Sequence, residues 1–211
     1  MSDSGEFSNW LRRLFERRSE AAGQPGGAPS EILGILGTSN NDGNTRALAR
    51  AVFEDLPDAE LINLSDLEIA PYDYQHRQGG DDFIALAEKM TAAKAVVFAS
   101  PVYWYAMSTQ MKTFFDRLTD LTDYAKPIGK SLGGKSAFLI ATGGSPAPPA
   151  SFEPPFAETA RYFNMNWGGM LYGQGDNRPG NQDGDVTNIS PAATFARRIM
   201  ASTGKQQSYA A

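Results

Sequence analysis

The sequence predicts an α/β fold built on a parallel, doubly wound sheet of five strands. From Glu31 onward, short apolar runs alternate with amphipathic stretches at helical spacing, the order expected when helical crossovers join parallel strands. Three runs, Ile32–Leu36, Ala95–Ala99 and Lys135–Ala141, are almost continuously apolar. A strand covered on both faces reads that way.

In chain order the strands are expected at Ile32–Leu36, Glu60–Leu64, Ala95–Ala99, Lys135–Ala141 and Asn166–Tyr172. The helices are expected at Asn44–Asp55, Asp81–Ala92, Met107–Leu118, Pro154–Phe163 and Pro191–Ala201. In the third helix Met111, Phe114, Phe115 and Leu118 recur at helical spacing and form its buried face.

Residues 1–30 form a separate N-terminal tail, and 31–211 the folded domain. Phe7, Trp10, Leu11, Leu14 and Phe15 give the tail a short amphipathic helix, and "GQPGGAPS" (Gly23–Ser30) is a Gly/Pro linker. A helix this short is marginal alone in water. Docking on its own domain, on a second subunit or on a membrane surface, and plain disorder, all fit the pattern.

The net charge of -5 argues against nucleic acid as a partner, because phosphate contacts need clustered Lys and Arg. The chain has no cysteine, so disulfides and Cys-held zinc or iron–sulfur clusters are excluded. Its one histidine, His76, reads as a solvated loop side chain, and no metal site is expected. No apolar run approaches the ~18 residues of a membrane span, and the N-terminus carries no signal-peptide core. A cytoplasmic protein is the expectation.

Three loops at strand ends carry the chemistry. The first, "GTSNNDGNT" (Gly37–Thr45), joins a strand to a helix. Ligands of doubly wound sheets bind at such carboxyl ends. The unpaired N–H groups and the dipole of a helix N-terminus attract an anion there. Thr38, Ser39, Asn44 and Thr45 add hydroxyl and amide donors, and Gly43 admits a close backbone approach or a positive φ. The loop lacks the Gly-Lys-Ser/Thr of a triphosphate loop and the third glycine of a dinucleotide fingerprint. Without Lys or Arg it suits a phosphate monoester; the alternative is a capped turn in which a Ser, Thr or Asn side chain serves as N-cap.

The second loop follows Pro101 with three consecutive aromatics, Tyr103, Trp104 and Tyr105. Three in a row cannot all enter one core, and an exposed aromatic on a rigidly carried loop suits a flat ligand. The third, "TGGSP", offers the backbone N–H groups of Thr142, Gly143 and Gly144, either to developing negative charge or as a plain turn.

"GTSNNDGNT", "SPVYW" with "MSTQMKTFFDRL", and "ATGGS" together resemble the NAD(P)H-dependent FMN reductase superfamily, including its multimeric-flavodoxin and quinone-oxidoreductase branches. The resemblance covers residues 31–172 and fades beyond. It implies a flavodoxin-like three-layer sandwich with strand order 2-1-3-4-5 and FMN at the strand ends. By position it implies that Thr38, Ser39, Asn40, Asn44 and Thr45 hold the phosphate. It places Pro101, Val102, Tyr103 and Trp104 beside the isoalloxazine, and Thr142, Gly143 and Gly144 on its pyrimidine side. It also implies a homo-oligomer, dimer or tetramer.

The implied activity is that of an FMN-dependent oxidoreductase, passing hydride from NAD(P)H through the flavin to a quinone or similar small-molecule acceptor. Since the cofactor carries such chemistry, no essential acid–base residue is expected; Tyr103 and Tyr105 are candidate hydrogen-bond donors to the acceptor. Two rivals remain. One is a flavodoxin-like electron carrier without a nicotinamide site, for which the acidic charge fits docking to a basic partner. The other is a flavin-free binding protein. The polar stretch Gly175–Asp185 is read as a solvated loop, or as one that brings Arg178 to a nicotinamide phosphate.

Overall fold

The computed structural model describes residues 30–77, 80–175, 186–187 and 191–204. The amphipathic stripe of the tail and Arg178 lie outside the described residues. Five strands, β1 (Ile32–Leu36), β2 (Ala59–Asn63), β3 (Ala95–Pro101), β4 (Ser136–Gly143) and β5 (Asn166–Gly175), form a parallel sheet in the expected order, 2-1-3-4-5. The sequence reading missed β6, the pair Val186–Thr187, which adds antiparallel to the β5 edge. Two residues show no periodicity, so nothing in the sequence marks them as a strand.

The helices are α1 (Asn44–Phe53), α2 (Phe83–Ala92), α3 (Thr109–Arg117), α4 (Lys126–Lys130), α5 (Pro154–Tyr162) and α6 (Ala192–Gly204). α4, "KPIGK", was not expected: with Pro and Gly among five residues it carries no helical signature. Short 3-10 segments at Leu64–Asp66 and Leu118–Thr122 follow β2 and α3.

Alternation along the strands explains their unbroken apolarity. Leu33, Ile35, Val96, Phe98, Ala137 and Leu139 join one core with α2, α3 and α5. Ile32, Leu36, Val97, Phe138 and Ile140 join the other with α1 and α6. Both faces are covered, so Ile32–Leu36, Ala95–Ala99 and Ala137–Ala141 carry no polar side chain. Burying one Leu, Ile or Phe contributes roughly 1.5–3 kcal/mol, and both cores are filled with them.

The predicted face of α3 holds: Met111, Phe114 and Leu118 are buried and Phe115 is partly buried. Arg117, one of the largest fully buried side chains, shares that face unpredicted. Its guanidinium donates to Asp120 (2.7 Å), to Asp81 and to the Ala70 carbonyl (3.0 Å), and lies 4.7 Å from the centre of the Phe83 ring. Burial works against its charge, but the Asp81 and Asp120 carboxylates outweigh it and raise its pKa.

His76 is not the solvated side chain expected. Its Nε2 lies 3.2 Å from Asp123 Oδ2, its Nδ1 faces Asp120 Oδ1 at 3.4 Å, and its ring meets Tyr124 edge-on. With Arg117 it pins the segment between β2 and α2 against the far end of α3. No helix among the described residues is long and apolar enough to cross a membrane.

Candidate functional site

Strand register brings the three loops together at the carboxyl edge. Leu36 pairs with Ala99, and Pro101 with Thr142, so the loops after β1, β3 and β4 leave the sheet side by side. Gly37 N–H donates to Ala99 O (2.8 Å) and Val102 N–H to Thr142 O (2.7 Å), which continues the sheet into the loops.

The first loop folds on itself through Asn40. Its N–H meets Thr38 Oγ1 (3.2 Å), its side-chain oxygen accepts from Asp42 N–H (3.0 Å), and its carbonyl accepts from Gly43 N–H (3.3 Å). Asn41 is tied outward: its Oδ1 accepts from Asn63 Nδ2 at 2.6 Å and from Ser65 Oγ at 3.3 Å. The hydroxyl of Ser39 exchanges hydrogen bonds with the Gln110 amide, at 3.1 and 3.3 Å.

Two helix N-termini meet this loop, and they differ. α3 is capped: Ser108 Oγ accepts from Met111 N–H (3.2 Å) and donates to Gly37 O (2.7 Å), while Ser108 N–H donates to Ser100 Oγ (3.1 Å). Ser100 and Ser108 are fully buried. They weld the first loop to the second. A side chain at Gly37 would not fit, since its Cβ would stand 2.9 Å from Met111 N.

α1 has no such cap. Its N-cap is Gly43, which makes no side-chain cap hydrogen bond, and among the described residues no side chain bonds to the first turn. The first intrahelical bond is Ala47 N–H to Gly43 O at 3.1 Å, so the N–H groups of Asn44, Thr45 and Arg46 precede it and, among the described residues, are open to an external acceptor. The capped-turn alternative therefore does not describe this loop. Gly43 has φ -87° and ψ 172°, so it uses no positive φ; its lack of a side chain leaves the N-terminus open.

Not every expected residue presents its side chain to a ligand. Thr38 and Thr45 are buried, and Thr45 Oγ1 shares a 2.7 Å hydrogen bond with Thr142 Oγ1. These two hydroxyls lock α1 to the third loop. The side chain of Asn44 packs against β5: a Cβ on Gly175 would lie 2.0 Å from its Nδ2. Sequence separation hides both contacts. Ser39 and Asn40 are exposed.

In the second loop Pro101 ends β3 in the core, Val102 is half-buried, and all three aromatics are exposed: Tyr103 44%, Trp104 93% and Tyr105 69%. Trp104 (φ 48°) and Tyr105 (φ 67°) both hold positive φ. They are the centre of a two-residue turn closed by reciprocal bonds, Tyr103 N–H to Ala106 O (2.9 Å) and Ala106 N–H to Tyr103 O (3.0 Å). Turns of this kind favour Asn-Gly; two aromatics there are strained, and strain of this sort collects at functional sites.

The third loop is held from β5. Tyr172 Oη donates to Ser145 O (2.7 Å) and Gln174 Nε2 to Gly144 O (3.1 Å). Burial raises the Tyr172 pKa, which keeps its phenol in the donating form. Gly144 is exposed at the end of this clamp and Gly143 half-buried beside it.

One candidate escaped the sequence reading, which ended the loop at Thr45. Arg46, on the first turn of α1, folds back so that Nη1 donates to Asn41 O at 3.1 Å. Its adjacency to "GNT" was the available signal.

The sequence pattern of the NADPH-dependent FMN reductase family matches residues 30–153. The chain belongs to that family. It is therefore an oxidoreductase of the FMN- and NAD(P)H-using class. It is 33% identical over 179 residues to YwqN of Bacillus subtilis, which carries the provisional description of an NAD(P)H-dependent FMN-containing oxidoreductase; the match spans 80% of this chain and 97% of that protein. The solved Trp repressor binding protein of Bacillus subtilis superposes with a TM-score of 0.59 at 30% identity, over 77% of this chain and 96% of that one. The iron–sulfur flavoprotein MJ1083 of Methanocaldococcus jannaschii is 31% identical over 126 residues, 54% of this chain and 63% of that protein. Having no cysteine, this chain cannot hold a cluster through thiolates.

Proposed function

We propose that the three loops bind FMN at the sheet edge and that the enzyme passes reducing equivalents from NAD(P)H to a quinone or a similar planar acceptor. The observation that carries this reading is the contrast between two neighbouring helix N-termini. α3 is closed by Ser108, whereas α1 is left open by Gly43 beside a loop of hydroxyls and amides. An open helix start with three unclaimed N–H groups suits a phosphate.

The residues present fit the cofactor. The N–H groups of Asn44, Thr45 and Arg46, with Ser39 and Asn40, hold the phosphate. Thr38, Thr45 and Thr142 act mainly by shaping the loops. Pro101, Val102, Tyr103 and Trp104 flank the ring, and the backbone of Gly143 and Gly144 supports its pyrimidine side. Bound FMN supplies the hydride chemistry. The protein orients its partners: the welded loops fix the ring plane, and the exposed aromatics offer stacking surface to nicotinamide and acceptor in turn. The same aromatic turn is the surface on which a homo-oligomeric contact would form.

Mixing the FMN-loaded protein anaerobically with NADPH or NADH should bleach the flavin absorbance. Adding a benzoquinone should restore it. Bleaching by dithionite but by neither nicotinamide would favour the electron-carrier reading instead.

A further inference from the structure

Around the open N-terminus of α1 the charges are unequal. Residues 37–45 contain one acid, Asp42, and no base. A phosphate monoester brings about two negative charges at neutral pH. Helix N–H groups carry only partial positive charge, about half a unit in all. A dianion beside Asp42 is thus left under-compensated by the loop itself.

Arg46 supplies the missing charge. It is the third residue of α1, so its own N–H is among the unclaimed donors and its side chain starts one turn from the site. The guanidinium does not extend along the helix toward Arg50. It turns back to the loop, where Nη1 donates to Asn41 O at 3.1 Å. It makes no ion pair among the described residues. A guanidinium has five N–H donors, and this bond uses one. Asn41 is in turn anchored by Asn63 at 2.6 Å, so the cation rests on a fixed piece of backbone.

We propose that Arg46 is the cationic anchor of the FMN phosphate, selecting the phosphorylated flavin over riboflavin. This rests on the FMN reading above. Charge-assisted hydrogen bonds are stronger than neutral ones and fall with ionic strength when exposed. The reverse change should follow from neutralising Asp42.

The test is fluorescence titration of the apoprotein with FMN and, separately, with riboflavin, at low and high salt. Arg46→Gln should weaken FMN binding roughly 10-fold, the range of a hydrogen bond to a charged group, and leave riboflavin binding unchanged. Arg46→Lys should recover part of the loss. Asp42→Asn should tighten FMN alone, by roughly 2- to 5-fold, as loss of an exposed like charge does. The salt dependence of FMN binding should be shallower in Arg46→Gln than in the parent. An equal loss for FMN and riboflavin would make Arg46 a loop support and overturn the proposal, as would an unchanged preference for FMN. If the parent chain binds neither flavin, the FMN reading itself fails. If the parent prefers FMN and Arg46→Gln keeps that preference, only the role of Arg46 fails.

Discussion

The turn at Trp104 and Tyr105 should cost stability, and the cost is measurable. Both residues hold positive φ, 48° and 67°. Outside glycine such a conformation costs about 1–2 kcal/mol per residue, so the turn stores about 2–4 kcal/mol. Replacing the pair by Asn-Gly would release most of this. Against it stand the extra freedom that Gly gives the unfolded chain, about 0.5–1 kcal/mol, and a small loss of contact. That loss is small because the side chains are 93% and 69% exposed. The double variant should therefore be more stable by about 1–2 kcal/mol, or roughly 2–8 °C in Tm for a domain of this size. Urea unfolding of the apoprotein measures it: the midpoint should rise with the slope unchanged. Flavin and quinone affinity should fall together in the same variant. A double variant no more stable than the parent would show that the turn is relaxed and that the strain argument is wrong.

Three further outcomes follow from the same contacts. Ser108→Ala removes a buried cap and leaves the Gly37 carbonyl and Met111 N–H unpaired; the cap alone is worth about 0.5–2 kcal/mol and an orphaned buried group about 1–3. Urea unfolding should show a loss of about 2–4 kcal/mol, and FMN affinity should drop with it. Arg117→Met strips the buried partner from Asp81 and Asp120, a change that costs about 3–5 kcal/mol when one member of a buried pair is removed; thermal melts should show it as a lowered Tm. Tyr124 is held up to about 12 by burial and by the Asp120 charge, although Arg117 pulls the other way. Its unfolded value is near 10, so below about pH 10 it adds no pH dependence. Above it the unfolded chain releases the proton first and stability falls through about pH 12. Tyr124→Phe should flatten that alkaline limb of the urea midpoint.

The sheet was legible because its strands are buried on both faces. Leu33 and Ile35 serve one core while Ile32 and Leu36 serve the other, and such a strand announces itself as a run. Helix ends were legible only to within a few residues: the reading carried α1 to Asp55, but it ends at Phe53. Short elements were not legible, because α4 and β6 are too brief for any period to repeat. Buried charge was not legible: Arg117 lies on the apolar stripe of α3, and nothing in its local sequence points to Asp81 and Asp120 as its partners.

The site divided in the same way. Its three loops were visible because each is local: a strand, a break and a helix or turn. What each side chain does there was not. Thr45 and Thr142, 97 residues apart, spend a hydrogen bond on each other, which no spacing reveals. His76 gains Asp120 and Asp123 only through folding. Arg46 could have been found, since it directly follows "GNT" and is the nearest cation to a loop that has none.

The most direct measurement is the visible spectrum of the purified protein after incubation with FMN and removal of the excess. A retained flavin spectrum, with FMN held more tightly than riboflavin, is the result the open N-terminus of α1 predicts. A colourless protein even after high FMN would contradict it, and would mean that this helix start receives some other anion.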